Sequence, residues 1–244
     1  MSFRQIIYRV ADPARAEAFY RDILGMWDGV DGLGFGDAGA RLRFMAGDVE
    51  HHKPGPDKAY WKIGITLRNL DHAVAYLCRA GVEVSTPRQF CDIGYLAHLT
   101  DPAGHVIELL QVGFEGREGE AGTGHPVGGQ ATLAHITLRT TNLAASQDWA
   151  KEEMGLRLMS VQPVPDFGFT LYFYAWSAEV PPDPDLAAVE NREWLWARPY
   201  TLLEFQHLEG RSDTLLPTGG GAGPTAILCE VGDQRRTVSL CARL

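Results

Sequence analysis

Two carboxylates stand where an uncompensated charge is costly. Glu204 lies in the apolar run TLLEFQ and Glu108 in VIELL. Burying either without a partner is strongly unfavourable, so each calls for a cation or a metal beside it. Lys62 and Arg43, in the strand-like runs WKIGITL and ARLRFMAG, are cations that could answer Glu108 or hold an anionic ligand. His135 is an imidazole among apolar neighbours, and a lone residue of that kind is most often a satisfied core histidine. Gln5 at a strand start is commonly solvated. Glu50, His51 and His52 carry metal-binding atoms but fall in a polar, Pro-flanked loop, where solvation is expected. Other chemistries lack their parts. There is no GxSxG elbow and no GxxxxGK[ST] loop, and the glycine-rich GTGHPVGG and TGGGAG lack the strand and helix that a phosphate loop needs.

The elements that must position these residues repeat along the chain. QIIYRVADPARAEAFYRDILG begins at Gln5, KIGITLRNLDHAVAYLCRAG at Lys62 and HITLRTTNLAASQDWAKEEMG at His135. Each reads as a strand, a cap, a helix and a glycine. Asp12, Asn69 and Asn142 are the caps, Pro13 suits a first helical position, and Gly25, Gly81 and Gly155 suit helix ends. Strand-like runs follow each helix, so the unit is one strand, one helix and about three more strands. A unit this small cannot cover its own apolar face, and pairing between units is expected. The Gly- and charge-rich FEGREGEAGTGHPVGGQ reads as a linker over 115–130, between domains at 1–114 and 131–244. The tail TAILCEVGDQRRTVSLCARL reads as a hairpin, or as an incomplete fourth unit with Asp233 as its cap.

This pattern resembles the vicinal oxygen chelate superfamily, which includes glyoxalase I, extradiol dioxygenases and bleomycin-resistance proteins. QIIYRVADPARAEAFYRDILGM is similar to the glyoxalase opening, and LTDPAGHVIELLQ to the family's closing hairpin. DFGFTLYFYAW, a Pro-rich insert and REWLWARPYTLLEFQH resemble the first half of glyoxalase I most closely. The resemblance implies an α+β fold in which tandem βαβββ units pair into cup-shaped mixed sheets with helices outside. It also implies a divalent metal at the base of a cup, held by one donor on the first strand and one on the last strand of each unit.

Seven residues before the caps stand Gln5, Lys62, His135 and Ala226, and the last-strand positions are Arg43, Glu108 and Glu204. The implied metal ligands are therefore His135, Glu204, Glu108 and Gln5, for Zn, Ni, Mn or Fe. Pairing of the first two units would bring the cations Arg43 and Lys62 into one cup and leave it without metal. His135 and Glu204 would then be half a site. A second subunit in a homodimer, Glu108 from the second unit, or nothing at all would complete it. Arg9 and Arg139 match a position that helps hold the glutathione carboxylate, although Leu208 replaces an Asn that reads glutathione.

The resemblance leaves three activities open. The first is a metal-dependent lyase or isomerase of the lactoylglutathione-lyase type. It would act on a small oxygen-chelating substrate through an enediolate, with Glu204 and Glu108 moving the proton and Arg43, Lys62, Arg9 and Arg139 binding substrate. The second is a metal-free protein that sequesters a small molecule. The third is an extradiol-type dioxygenase, weakened by Ala226 where a second His is wanted.

The 244 residues carry a net charge of −9, which disfavours nucleic acid and anionic membranes as partners. No apolar run has the length of a membrane helix. The N-terminus enters a strand pattern without a leader-like segment, and the four Cys lack CxxC spacing. A reduced, cytoplasmic setting is the expectation.

Overall fold

Each repeat folds as its caps dictate. In this computed structural model, which describes residues 2–120, 124–216, 223–231 and 234–239, the first unit is β1 (Ser2–Val10), α1 (Pro13–Ala18), β2 (Trp27–Gly29), β3 (Gly32–Gly34) and β4 (Arg41–Ala46). The second is β5 (Tyr60–Leu67), α2 (Leu70–Arg79), β6 (Arg88–Phe90), β7 (Gly94–Thr100) and β8 (Val106–Gln111). The third is β9 (Thr132–Thr140), α3 (Leu143–Asp148), β10 (Arg157–Val164), β11 (Phe169–Ala175), the inserted α4 (Asn191–Trp196) and β12 (Leu202–Leu208). The tail forms β13 (Gly223–Val231) and β14 (Gln234–Ser239), paired antiparallel.

Asp12, Asn69 and Asn142 accept hydrogen bonds from the amides of Arg15, His72 and Ala145, so each cap answers one free donor of its helix start. Gly25, Gly81 and Gly155 take positive φ where the helical segments end. α1 and α3 each continue into one wider π-helical turn, Phe19–Ile23 and Trp149–Glu153, which the repeat pattern does not announce. Among the described residues no helix is long and apolar enough to cross a membrane.

The strands form two mixed sheets, ordered β14-β13-β1-β4-β3-β2 and β10-β11-β12-β9-β5-β8-β7-β6. This order corrects the expected pairing of the first two units over 1–114. The second and third units share the larger sheet, joined where β5 runs antiparallel to β9. The first unit pairs instead with the tail, through β1 and β13. β5 and β9 are buried along almost their whole length, so each needs a partner strand on both sides. β5 takes β8 and β9; β9 takes β12 and β5. The core runs continuously from Ile6 and Tyr20 through Ile63 and Ile107 to Leu138 and Phe205.

Candidate ligand site

The four central strands of the larger sheet, β12-β9-β5-β8, carry Glu204, His135, Lys62 and Glu108. Register explains why these side chains meet. Gly64 on β5 lies opposite both His135 and Glu108, and Thr137 on β9 lies opposite both Lys62 and Glu204. Residues two apart on a strand share a face, so Lys62 and Gly64 point the same way, as do His135 and Thr137. The absent side chain at Gly64 is what admits the imidazole: a methyl group there would overlap the His135 ring.

Lys62 Nζ donates to Glu108 Oε2 at 2.5 Å, and both side chains are buried. Burial pushes the Glu108 carboxyl up, but the Lys62 ammonium and the contacts to His135 and His98 outweigh it and hold it well below the usual carboxylate range. His98 Nε2 is 3.2 Å from the same oxygen. Glu204 Oε2 accepts from the Thr137 hydroxyl at 2.7 Å. His135 Nε2 stands 3.3 Å from Glu108 Oε1 and 3.2 Å from Glu204 Oε2, yet neither contact has hydrogen-bond geometry, and neither ring nitrogen has a hydrogen-bond partner.

These groups form the base of a cavity of about 230 Å³. Its walls come from both units: Trp61 and Phe90 from the second, Phe169 and Phe173 from the third, and Trp196 from the insert. The Pro-rich insert is held by Asn191, whose side chain accepts from the Asp183 amide and donates to the Asp183 and Asp185 carbonyls. Fully buried Arg192 donates to the carbonyls of Ala187, Ala188 and Val161. Trp196 Nε1 then donates to the Ile93 carbonyl at 3.0 Å, fastening the insert of one unit to the hairpin of the other.

Of the remaining sequence-derived residues, Gln5, Arg9 and Arg43 lie on the smaller sheet. Gln5 is on β1 in the smaller sheet, with Nε2 donating to the Asp31 carbonyl, so it cannot join His135 as a ligand. Arg9 and Arg43 are exposed on that same sheet, away from the cavity. Arg139 is on β9, two residues beyond Thr137 on the same strand face, and its partners Trp61 and Gln206 line the cavity. It stacks on Trp61 at 4.1 Å and donates to Gln206 Oε1 and the Gly55 carbonyl, and burial lowers its pKa to about 10. One chain supplies all the converging groups, so a second subunit is not what completes the set. His52 is not solvated as its loop suggests: it is buried and stacks on His105 at 5.0 Å, while His51 is exposed.

Three contributors escaped the sequence reading. His98 was readable by counting back from the DPAGH turn, since Thr100 pairs with Val106 and therefore His98 with Glu108. Gly64 and Thr137 depend on which units pair, and carried no signal of their own.

A divalent ion in this cup needs several donors free to ligate, and the residues fit it poorly. Lys62 occupies the fourth donor position with an ammonium that cannot ligate and is already bonded to Glu108. A positive charge 4 Å away opposes each unit of incoming charge by about 4 kcal/mol at an effective dielectric of 20. Among the described residues no group of three or more His, Cys, Asp or Glu forms a metal cage.

Fold and cavity together define a paired-βαβββ protein with an aromatic-walled cup between its second and third units. Residues 2–109 match the model of the Glyoxalase/Bleomycin resistance protein/Dioxygenase superfamily, which bears out the resemblance read from the sequence. Among solved structures, glyoxalase I from Zea mays is similar at 18% identity and a TM-score of 0.61, covering 87% of this chain and 69% of that one. A putative dioxygenase from Bacillus subtilis is similar at 16% identity and 0.53, covering 93% and 69%. These likenesses are of fold. No curated protein sequence matches the chain.

Proposed function

We propose that the larger sheet forms a metal-independent binding site for a small molecule, which the protein holds or sequesters in its aromatic cup. One observation carries this reading: Lys62 Nζ lies 2.5 Å from Glu108 Oε2, at the first-strand position where the family resemblance places a metal donor. The ammonium supplies the positive charge that a metal would bring to that carboxylate. Elemental analysis of dialysed protein tests the reading. The expected result is no stoichiometric Zn, Ni, Mn or Fe and no thermal stabilisation when these ions are added.

A second reading keeps the metal, in a lyase or isomerase acting on an oxygen-chelating substrate. It is favoured by His135 Nε2, buried between two carboxylates without a hydrogen bond. It requires Lys62 to release Glu108, and it predicts one ion per chain that is lost in His135→Ala.

A further inference from the structure

Trp61 and His98 face two spaces. Their ring centroids lie 6.5 Å apart, and both side chains line the cup and also a surface groove of about 880 Å³. The first unit contributes Phe19 and Ile23 to this groove, from the wider turn that continues α1. The second unit contributes Val82, Val84 and Leu99. Phe19, Ile23, Val82 and Val84 are half-buried, packed against the core yet open to the groove. Partly exposed apolar side chains gathered in this way mark a binding surface. Among the described residues that line the groove there is no Lys or Arg. Its two carboxylates are Glu83, which is exposed, and Asp101, whose oxygens already accept from the Tyr20 hydroxyl and the amides of Ala103 and His105.

We infer that the ligand has two parts, a single ring seated in the cup and a neutral apolar chain that passes Trp61 and His98 into the groove. Volume argues for the second part. The cup alone, at about 230 Å³, is smaller than the roughly 300–1,000 Å³ of drug-sized sites, and the groove adjoins it at two shared side chains. The lining argues for the kind of chain. Apolar walls without a cation reward burial of methylenes and offer nothing to an anionic group. The boundary between the two spaces is also set in place. Arg139 stacks on Trp61 at 4.1 Å and is itself held by Gln206 and the Gly55 carbonyl. The ionisable groups of the cup, among them Lys62, Glu108, Glu204 and, against Trp61, Arg139, are common to every ligand with the same ring. Chain length therefore reports on the groove alone.

This inference deepens the metal-free reading and rests on it, and its test separates the two. Phenol, para-butylphenol and para-hexylphenol, all uncharged at neutral pH, are titrated calorimetrically against the intact protein, with metal content measured on the same sample. A fully buried methylene is worth a factor of about four, so para-hexylphenol is expected to bind roughly a hundredfold more tightly than phenol and to displace it. Val84→Asp places a carboxylate in the groove and should remove that gain while leaving phenol binding unchanged. Phe19→Ser, from the first unit, repeats the comparison if that variant does not fold. Three phenols that bind alike or not at all, or a gain that the folded variants retain, overturn the inference and leave the metal-free reading standing. A wild-type dimer that Val84→Asp dissolves, seen by analytical ultracentrifugation, assigns the groove to a second copy and likewise overturns the inference. A stoichiometric bound ion overturns the reading itself, and the inference with it.

Discussion

At the scale of single residues, the Lys62–Glu108 pair governs both stability and chemistry. Removing one partner of a buried pair strands the other, at a cost of about 3–5 kcal/mol. Lys62→Met should therefore lower unfolding free energy by that amount in urea titrations. Adding Glu108→Leu to it should recover most of the loss, because an apolar pair of similar volume is tolerated. The pair also sets a pH dependence. The folded pKa of Glu108 is depressed, so its contribution is complete above the unfolded value of about 4.3 and is lost as pH falls through the folded value. Asp101 adds in the same direction: burial pushes its carboxyl up, but His105 and two backbone amides hold it down. Glu108→Gln should flatten the acid limb of a stability–pH curve, and an unchanged slope would contradict the assignment. Glu204, His135, Glu108 and Lys62 were all legible in the sequence, because a charge or imidazole inside an apolar strand is conspicuous. Their partners were not, since Thr137 and Gly64 are unremarkable strand residues until the register is known.

At the scale of elements, the repeats and caps could be read almost residue by residue, and the pairing could not. The first strands of all three units are similarly apolar, so nothing local distinguishes a β5–β9 interface from a β5–β1 one. The segment 115–130 is polar and glycine-rich, long enough to permit either, and favours neither. Once β5 and β9 are neighbours, the closest approach falls at Gly64 and His135. Gly64→Ala should cost about 1–3 kcal/mol through overpacking and displace the imidazole, whereas Gly36→Ala, at a site with open space around it, should leave the melting temperature unchanged. Equal effects of the two substitutions would show that the glycine does not cradle the ring.

At the scale of the whole molecule, the sheets do not follow the linear division of the chain. One sheet is built from the middle of the chain, and the other joins its first unit to its tail. Fragments 1–114 and 131–244 would each expose an unpaired central strand, β5 in one and β9 in the other. Neither should fold alone, and co-expression should restore a complex with native-like circular dichroism. Independent folding of either fragment would contradict the shared sheet. The same topology brings His135 and Glu204 to Lys62 and Glu108 within one chain, and in the function proposed above Lys62 stands in for a metal. The most direct measurement is divalent-ion stoichiometry in wild-type protein beside Lys62→His, which exchanges the ammonium for a donor. No retained ion is expected in the wild type and about one per chain in the variant, by the ligand chemistry of a two-His, two-Glu set. One ion per chain in the wild type would contradict it.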